Sequence, residues 1–123
     1  MRINSNDSYL SLEKVEQPGA TVVWRVAAAV SHEGCLAAVH SRTRVHKTDQ
    51  TPEEIADFAA RRAQHFELML SRGGWLRVRR SRGGRTLVRY RVAQWGAGAS
   101  LEGRVRLERE SAEAFCRELG GLL

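Results

Sequence analysis

Apolar and polar residues alternate at every second position over several separate segments of this 123-residue chain. The strictest case is residues 101–107, where Leu, Gly, Val and Leu alternate with Glu, Arg and Arg. Residues 21–30 follow the same period, with apolar side chains at the even positions. A period of two places alternate side chains on opposite faces of a β-strand. The pattern therefore predicts an antiparallel sheet with one buried and one solvated face.

Six strands are predicted from this alternation and from the turn residues between them. They are residues 9–15, 21–30, 35–45, 75–80, 86–94 and 101–108. Pro18-Gly19 is typical of a turn, and Gly34 can take the positive φ that a tight hairpin needs. Short turns between neighbouring strands favour antiparallel hairpins over parallel strands joined by helical crossovers.

Two helices interrupt the strands. Thr51, Pro52 and Glu54 form a capping box with proline at the first helical position, which predicts a helix start. Apolar residues then recur every three to four positions, which predicts a helix over residues 52–71 that ends at a Gly-Gly pair. A second, shorter helix is predicted over residues 111–120, with Ser111 as its cap.

The predicted fold is one α+β domain covering residues 1–123. Its mainly antiparallel sheet has about six strands in βββα-βββα order, with both helices on one face. The long helix is expected to cover the apolar sheet face, which carries Trp24, Val26, Val78 and Val88. Its own covering residues are Ile55, Ala59, Phe66 and Leu70. The two halves match loosely, which fits either an internal duplication or the ordinary likeness of short β–α junctions.

Membrane insertion and disulfide stabilisation are both disfavoured. No apolar run approaches the roughly 20 residues that a spanning helix needs, and residues 1–9 are too polar for a signal peptide. The expected location is therefore the cytoplasm. Cys35 and Cys116 are too few for a disulfide scaffold and are expected to be reduced, buried small hydrophobic residues.

Catalytic and metal-binding patterns are absent from the sequence. His32 and Cys35 have ligand spacing, but no second pair completes a zinc site. The chain has no Gly-x-Ser-x-Gly, and its Gly-rich turns lack the lysine of a phosphate-binding loop. We therefore expect no catalytic residues, no metal and no cofactor, and we expect a protein that is not an enzyme.

The positive charge lies in one stretch. The net charge is +6, and residues 68–101 contain eight arginines and no acid. Alternation places four of these arginines on the sheet face opposite the core. They are Arg77, Arg79, Arg89 and Arg91. Arg42, Arg44, Arg104 and Arg106 can extend this face if their strands join the same sheet.

Guanidinium groups make planar, two-pronged contacts with carboxylates and phosphates, so this basic face is the predicted binding surface. Trp75 and Trp95 share the parity of the arginines and are either stacking residues for nucleobases or covers for the ends of the core. A coding bias toward arginine would also explain the excess. Glu102 and Glu108 on the last strand could neutralise part of it.

The chain resembles a type of small bacterial α/β protein of uncharacterised function, some of which are immunity-like partners in polymorphic toxin systems. Three segments carry the resemblance: the strand at residues 21–30 that bears Trp24, the amphipathic segment 53–70 with its phenylalanines, and strand 101–107 followed by helix 114–119. The resemblance implies a non-catalytic binder. Many immunity proteins that mask nuclease toxins look acidic, whereas this face is basic, so the implied partner is an acidic protein surface.

Two functions follow from these patterns. In the first, the arginine face docks on an acidic patch of a partner protein, with charge setting on-rate and orientation. In the second, the same face binds RNA or single-stranded DNA through its phosphates.

Overall fold

Eight strands and two helices make up the part of the chain that the computed structural model describes, residues 1–94 and 98–123. Each strand pairs with the next one along the chain, and all of these pairs are antiparallel. In chain order the elements are β1 (Arg2–Ser5), β2 (Ser8–Lys14), β3 (Val22–His32), β4 (Cys35–His46), α1 (Thr51–Ala59), β5 (His65–Leu70), β6 (Trp75–Arg80), β7 (Thr86–Ala93), β8 (Ser100–Leu107) and α2 (Arg109–Gly121).

The α+β class and the antiparallel sheet are confirmed, but the predicted strand number and order are wrong. The described chain has eight strands in ββββα-ββββα order. The first missed strand, β1, has four residues, of which Ile3 alone is buried. A strand this short has no period to recognise. Neither described helix is long and apolar enough to cross a membrane.

The predicted helix over residues 52–71 is the largest error. Helix α1 ends at Ala59, and Arg61 takes a left-handed φ of 64° that breaks the helical path. Residues 65–70 form strand β5, in which Phe66, Leu68 and Leu70 are buried between exposed neighbours. Phe66 and Leu70 are four positions apart, a spacing that fits one helix face and one strand face equally well. The following Gly-Gly pair belongs to the turn between β5 and β6.

Both predicted helix caps are also wrong. The cap of α1 is Gln50, and the Thr51 hydroxyl instead accepts a hydrogen bond from the Thr48 amide at 2.9 Å. Helix α2 begins two residues before Ser111, after Glu108, which makes no side-chain capping bond. The first helical backbone bonds mark these starts: the Glu54 amide donates to the Gln50 carbonyl, and the Ala112 amide donates to the Glu108 carbonyl, each at 2.9 Å.

The core lies on the inner face of the sheet, where both helices pack. Trp24 is fully buried, and its indole N–H donates to the Leu122 carbonyl at 2.9 Å, which ties the C-terminus to β3. The predicted apolar sheet face is buried as expected. Helix α1 covers it with Ile55 and Phe58, and the ring of Phe58 meets that of Phe66 edge-on at 5.2 Å. Ala59 is exposed, contrary to its predicted role.

Tyr90 joins the two ends of the sheet. It points inward from β7 directly opposite Gly103 on β8, and its ring lies against the position that a side chain at Gly103 would occupy. The Tyr90 hydroxyl donates to the Tyr9 carbonyl at 3.2 Å and lies 2.6 Å from the Ser8 hydroxyl on β2. Burial raises the pKa of Tyr90, so this hydroxyl keeps its proton. The sheet is therefore curled, with β8 lying close to β1 and β2.

Gly103→Ala should destabilise the fold, because the added methyl group would overlap the Tyr90 ring and hydroxyl. Overpacking of this kind typically costs about 1–3 kcal/mol in the free energy of unfolding. The matched control is Gly120→Ala in α2, where the added methyl group meets no atom within 4 Å. That control should be neutral or stabilising, because alanine is the better helix former. Equal urea midpoints for the two variants would contradict the Tyr90 contact.

Candidate binding groove

Arginines from three neighbouring strands meet on the outer face of the sheet. Arg89 on β7 lies directly opposite both Arg77 on β6 and Arg104 on β8. The adjacent row consists of Arg79, Leu87 and Arg106 in the same strand order. Side chains directly opposite on antiparallel strands have Cβ atoms about 4.5–5.5 Å apart. The two rows therefore concentrate positive charge in a small area.

Acidic residues neutralise the edges of this area but not its centre. Arg77 pairs with Glu67 on β5 at 3.3 Å, and Arg91 pairs with Glu102 at 3.8 Å. Among the described residues of these two rows, four arginines have no ion pair with an acid. They are Arg79, Arg89, Arg104 and Arg106.

These four arginines line an open groove of about 740 Å³, which we call the arginine groove. Trp75 and Leu87 supply its apolar lining beneath the arginines. The opposite wall is the β1–β2 turn, residues 5–8, together with the end of β3, residues 30–32. This wall is mostly neutral and polar. Asp7 and Glu102 are the acids in the lining.

Trp75 is covered by arginines, although it lies on the outer face. Its exposed fraction is 8%, and the guanidinium carbons of Arg77 and Arg89 lie 4.0 and 5.7 Å from its ring centroid. Such cation–π contacts hold the guanidinium groups against the indole face. A base can stack on Trp75 only if Arg77 moves away. Trp95, the second predicted stacking residue, falls outside the described residues.

Other arginines from the sequence analysis lie elsewhere. Arg42 and Arg44 are exposed on β4, which β5 separates from β6. Arg42 is opposite Arg25, which pairs with Glu13 at 3.4 Å. Arg80 turns toward helix α1, where it packs on the ring of Phe58 and donates to the Phe58 carbonyl. Of the eight arginines in the basic stretch, residues 68–101, two line the groove: Arg79 and Arg89.

Sequence reasoning missed the second wall of the groove. The sequence pattern assigns residues 5–8 to no element, and it places His32 in a hairpin turn or pairs it with Cys35 as a metal ligand, not in a binding surface. The wall reaches the arginines only because the sheet curls, and the contacts that curl it join residues as far apart as Ser8 and Tyr90. No local pattern reports such a contact.

The prediction that Cys35 is buried is wrong, whereas Cys116 is buried. Residues 31–38 are all exposed, because the tip of the β3–β4 hairpin extends beyond the core. Burial raises the pKa of the Cys116 thiol, an effect only partly offset by nearby Arg80. Among residues 1–94 and 98–123, no three His, Cys, Asp or Glu side chains are placed to hold a metal ion.

The two thiols should differ in reactivity. A colorimetric thiol reagent should modify Cys35 in the folded protein and reach Cys116 only in denaturant, because Cys116 is both enclosed and held as the neutral thiol. Cys35→Ser should then remove the reaction of the folded protein. Rapid modification of this variant without denaturant would contradict the packing of α2.

Searches against protein-family models, curated proteins and solved structures returned no match for this chain. Its function must therefore be argued from the groove itself.

Proposed function

We propose that this chain is a non-catalytic binding protein that uses the arginine groove to bind an acidic surface of a partner protein. The supporting observation is the set of four groove arginines that have no acidic partner among the described residues. Elsewhere on the same sheet, Arg77 and Arg91 are paired with glutamates. A carboxylate from a partner would give the groove arginines the same kind of contact.

Physical features of the groove favour anions. Arg89 and Arg104 are like charges directly opposite on neighbouring strands, an arrangement that destabilises a sheet until an anion binds between them. The apolar Trp75 and Leu87 beneath them exclude water from one side, which strengthens the local field. Such a field raises association rates and orients an acidic partner.

A protein partner is favoured over a nucleic acid by two observations. The first is Leu36, which is 73% exposed at the tip of the β3–β4 hairpin, directly opposite the groove residue Ser31. An exposed leucine beside a charged groove is typical of a protein interface, where apolar contacts are surrounded by polar ones. The second is Trp75, whose face is covered by Arg77 and is not free for a base.

The test compares two double charge reversals with the same change in net charge. Arg89→Glu with Arg104→Glu alters the groove, whereas Arg42→Glu with Arg44→Glu alters the same sheet face outside it. A partner is first captured from the native host with the tagged wild-type chain, and its affinity is then measured by calorimetry. The groove variant should lose at least about tenfold in affinity, roughly 1.4 kcal/mol. The control should stay within about threefold of wild type.

Further measurements distinguish a protein partner from a nucleic-acid partner. Leu36→Ser should weaken the binding of a protein partner and leave the binding of a single-stranded oligonucleotide unchanged. Tight oligonucleotide binding whose affinity falls steeply with salt would favour the nucleic-acid function instead. Circular dichroism must show that each variant is folded. Undiminished partner binding by a folded groove variant would overturn the proposal.

A further inference from the structure

We infer that the arginine groove also binds a small, compact polyanion whose anionic groups are directly linked, as in an inorganic oligophosphate. This ligand would occupy the same guanidinium groups as an acidic protein and would compete with it. The inference rests on the groove geometry and does not depend on the proposed protein partner.

The spacing of the arginines supports a compact ligand. Arg89 and Arg104 face each other across two strands, so the bases of their side chains are about 5 Å apart. Arg106 lies two residues along β8 from Arg104, about 7 Å away. Carboxylates on one face of an extended peptide are also about 7 Å apart, which matches the distance between Arg104 and Arg106 along β8. One extended segment does not match the distance of about 5 Å between Arg89 and Arg104 on neighbouring strands. Linked phosphates carry anionic oxygens densely enough for both.

Guanidinium groups bind phosphate as well as they bind carboxylate. Each arginine presents a rigid fork of N–H donors that binds two oxygens of one phosphate. The groove arginines make no ion pair with an acid in the described chain, so a ligand displaces no carboxylate from them. Linked phosphates with several negative charges would neutralise most of the local charge at once.

The size of the groove and its opposite wall set the limits of the ligand. A volume of about 740 Å³ lies within the usual range for small-molecule sites, about 300–1,000 Å³. Ser5, Asn6 and Ser31 on the opposite wall offer neutral donors for outer oxygens. Asp7 and Glu102 would repel phosphates that extend past the arginines. These acids favour a short ligand over a polymer.

The experiment titrates the full chain with sodium tripolyphosphate by calorimetry in about 0.15 M salt, where general charge attraction is screened within about 8 Å. The variants are Arg89→Gln with Arg104→Gln and the matched control Arg42→Gln with Arg44→Gln. Glutamine removes the charge and keeps a polar side chain. We expect the groove variant to lose at least about tenfold in affinity and the control to stay within about twofold. Thermal unfolding with the ligand should show the same ranking, because binding stabilises the native state.

Several outcomes would overturn the inference. They are an equal loss in the control variant, an equal response to sodium sulfate at matched ionic strength, and no detectable binding by the folded wild-type chain. A thymidine oligonucleotide that binds more tightly per phosphate than tripolyphosphate would also overturn it. Leu36→Ser distinguishes the two proposals, because it should weaken the binding of a protein partner and leave the affinity for tripolyphosphate unchanged. Failure of tripolyphosphate to bind would leave the protein-partner proposal standing.

Discussion

The contacts of Tyr90 with Gly103 and Ser8 connect β7 and β8 to β2 and stabilise the curl of the sheet. An eight-stranded sheet in which every strand pairs with its chain neighbour has two edges, β1 and β8, that need not meet. Tyr90 links β8 to β2, the neighbour of β1, because Gly103 leaves room for its ring and the Tyr90 hydroxyl then reaches Ser8 and the Tyr9 carbonyl. The curl places the β1–β2 turn beside the outer arginines.

Much of the sheet could be predicted from the sequence, because alternation is a local property. Alternation predicts the strands that correspond to β2 to β4 and β6 to β8, and it places Trp24 correctly in the core. Alternation does not predict strand β5, because Phe66 and Leu70 also fit a helical stripe that continues from α1. The Arg61 backbone, which ends the helix, adopts a conformation that arginine rarely takes and that no residue type there indicates.

The wrong helix prediction for residues 65–70 also leads to a wrong expectation of which acids pair with the outer arginines. A helix over residues 52–71 would take Glu67 out of the sheet, and the sequence analysis names only Glu102 and Glu108 as acids that could neutralise the arginines. In the structure Glu67 lies in the sheet directly opposite Arg77 and pairs with it. Glu108 pairs with Arg85 at 3.1 Å, away from the central rows. The sequence therefore indicated which arginines face outward, but not which of them remain unpaired.

The distribution of acids bears on whether the arginine excess reflects coding bias or binding. A bias toward arginine codons raises the number of arginines everywhere and does not determine where glutamates stand. Here the glutamates pair with Arg77 and Arg91 at the margins, while Arg89 and Arg104 face each other without an acid between them. Like charges in this position cost a sheet some of its stability, and the glutamate of this row, Glu67, pairs with Arg77 and not with Arg89 or Arg104. A ligand of the kind proposed above would supply negative charge between Arg89 and Arg104 and relieve this repulsion.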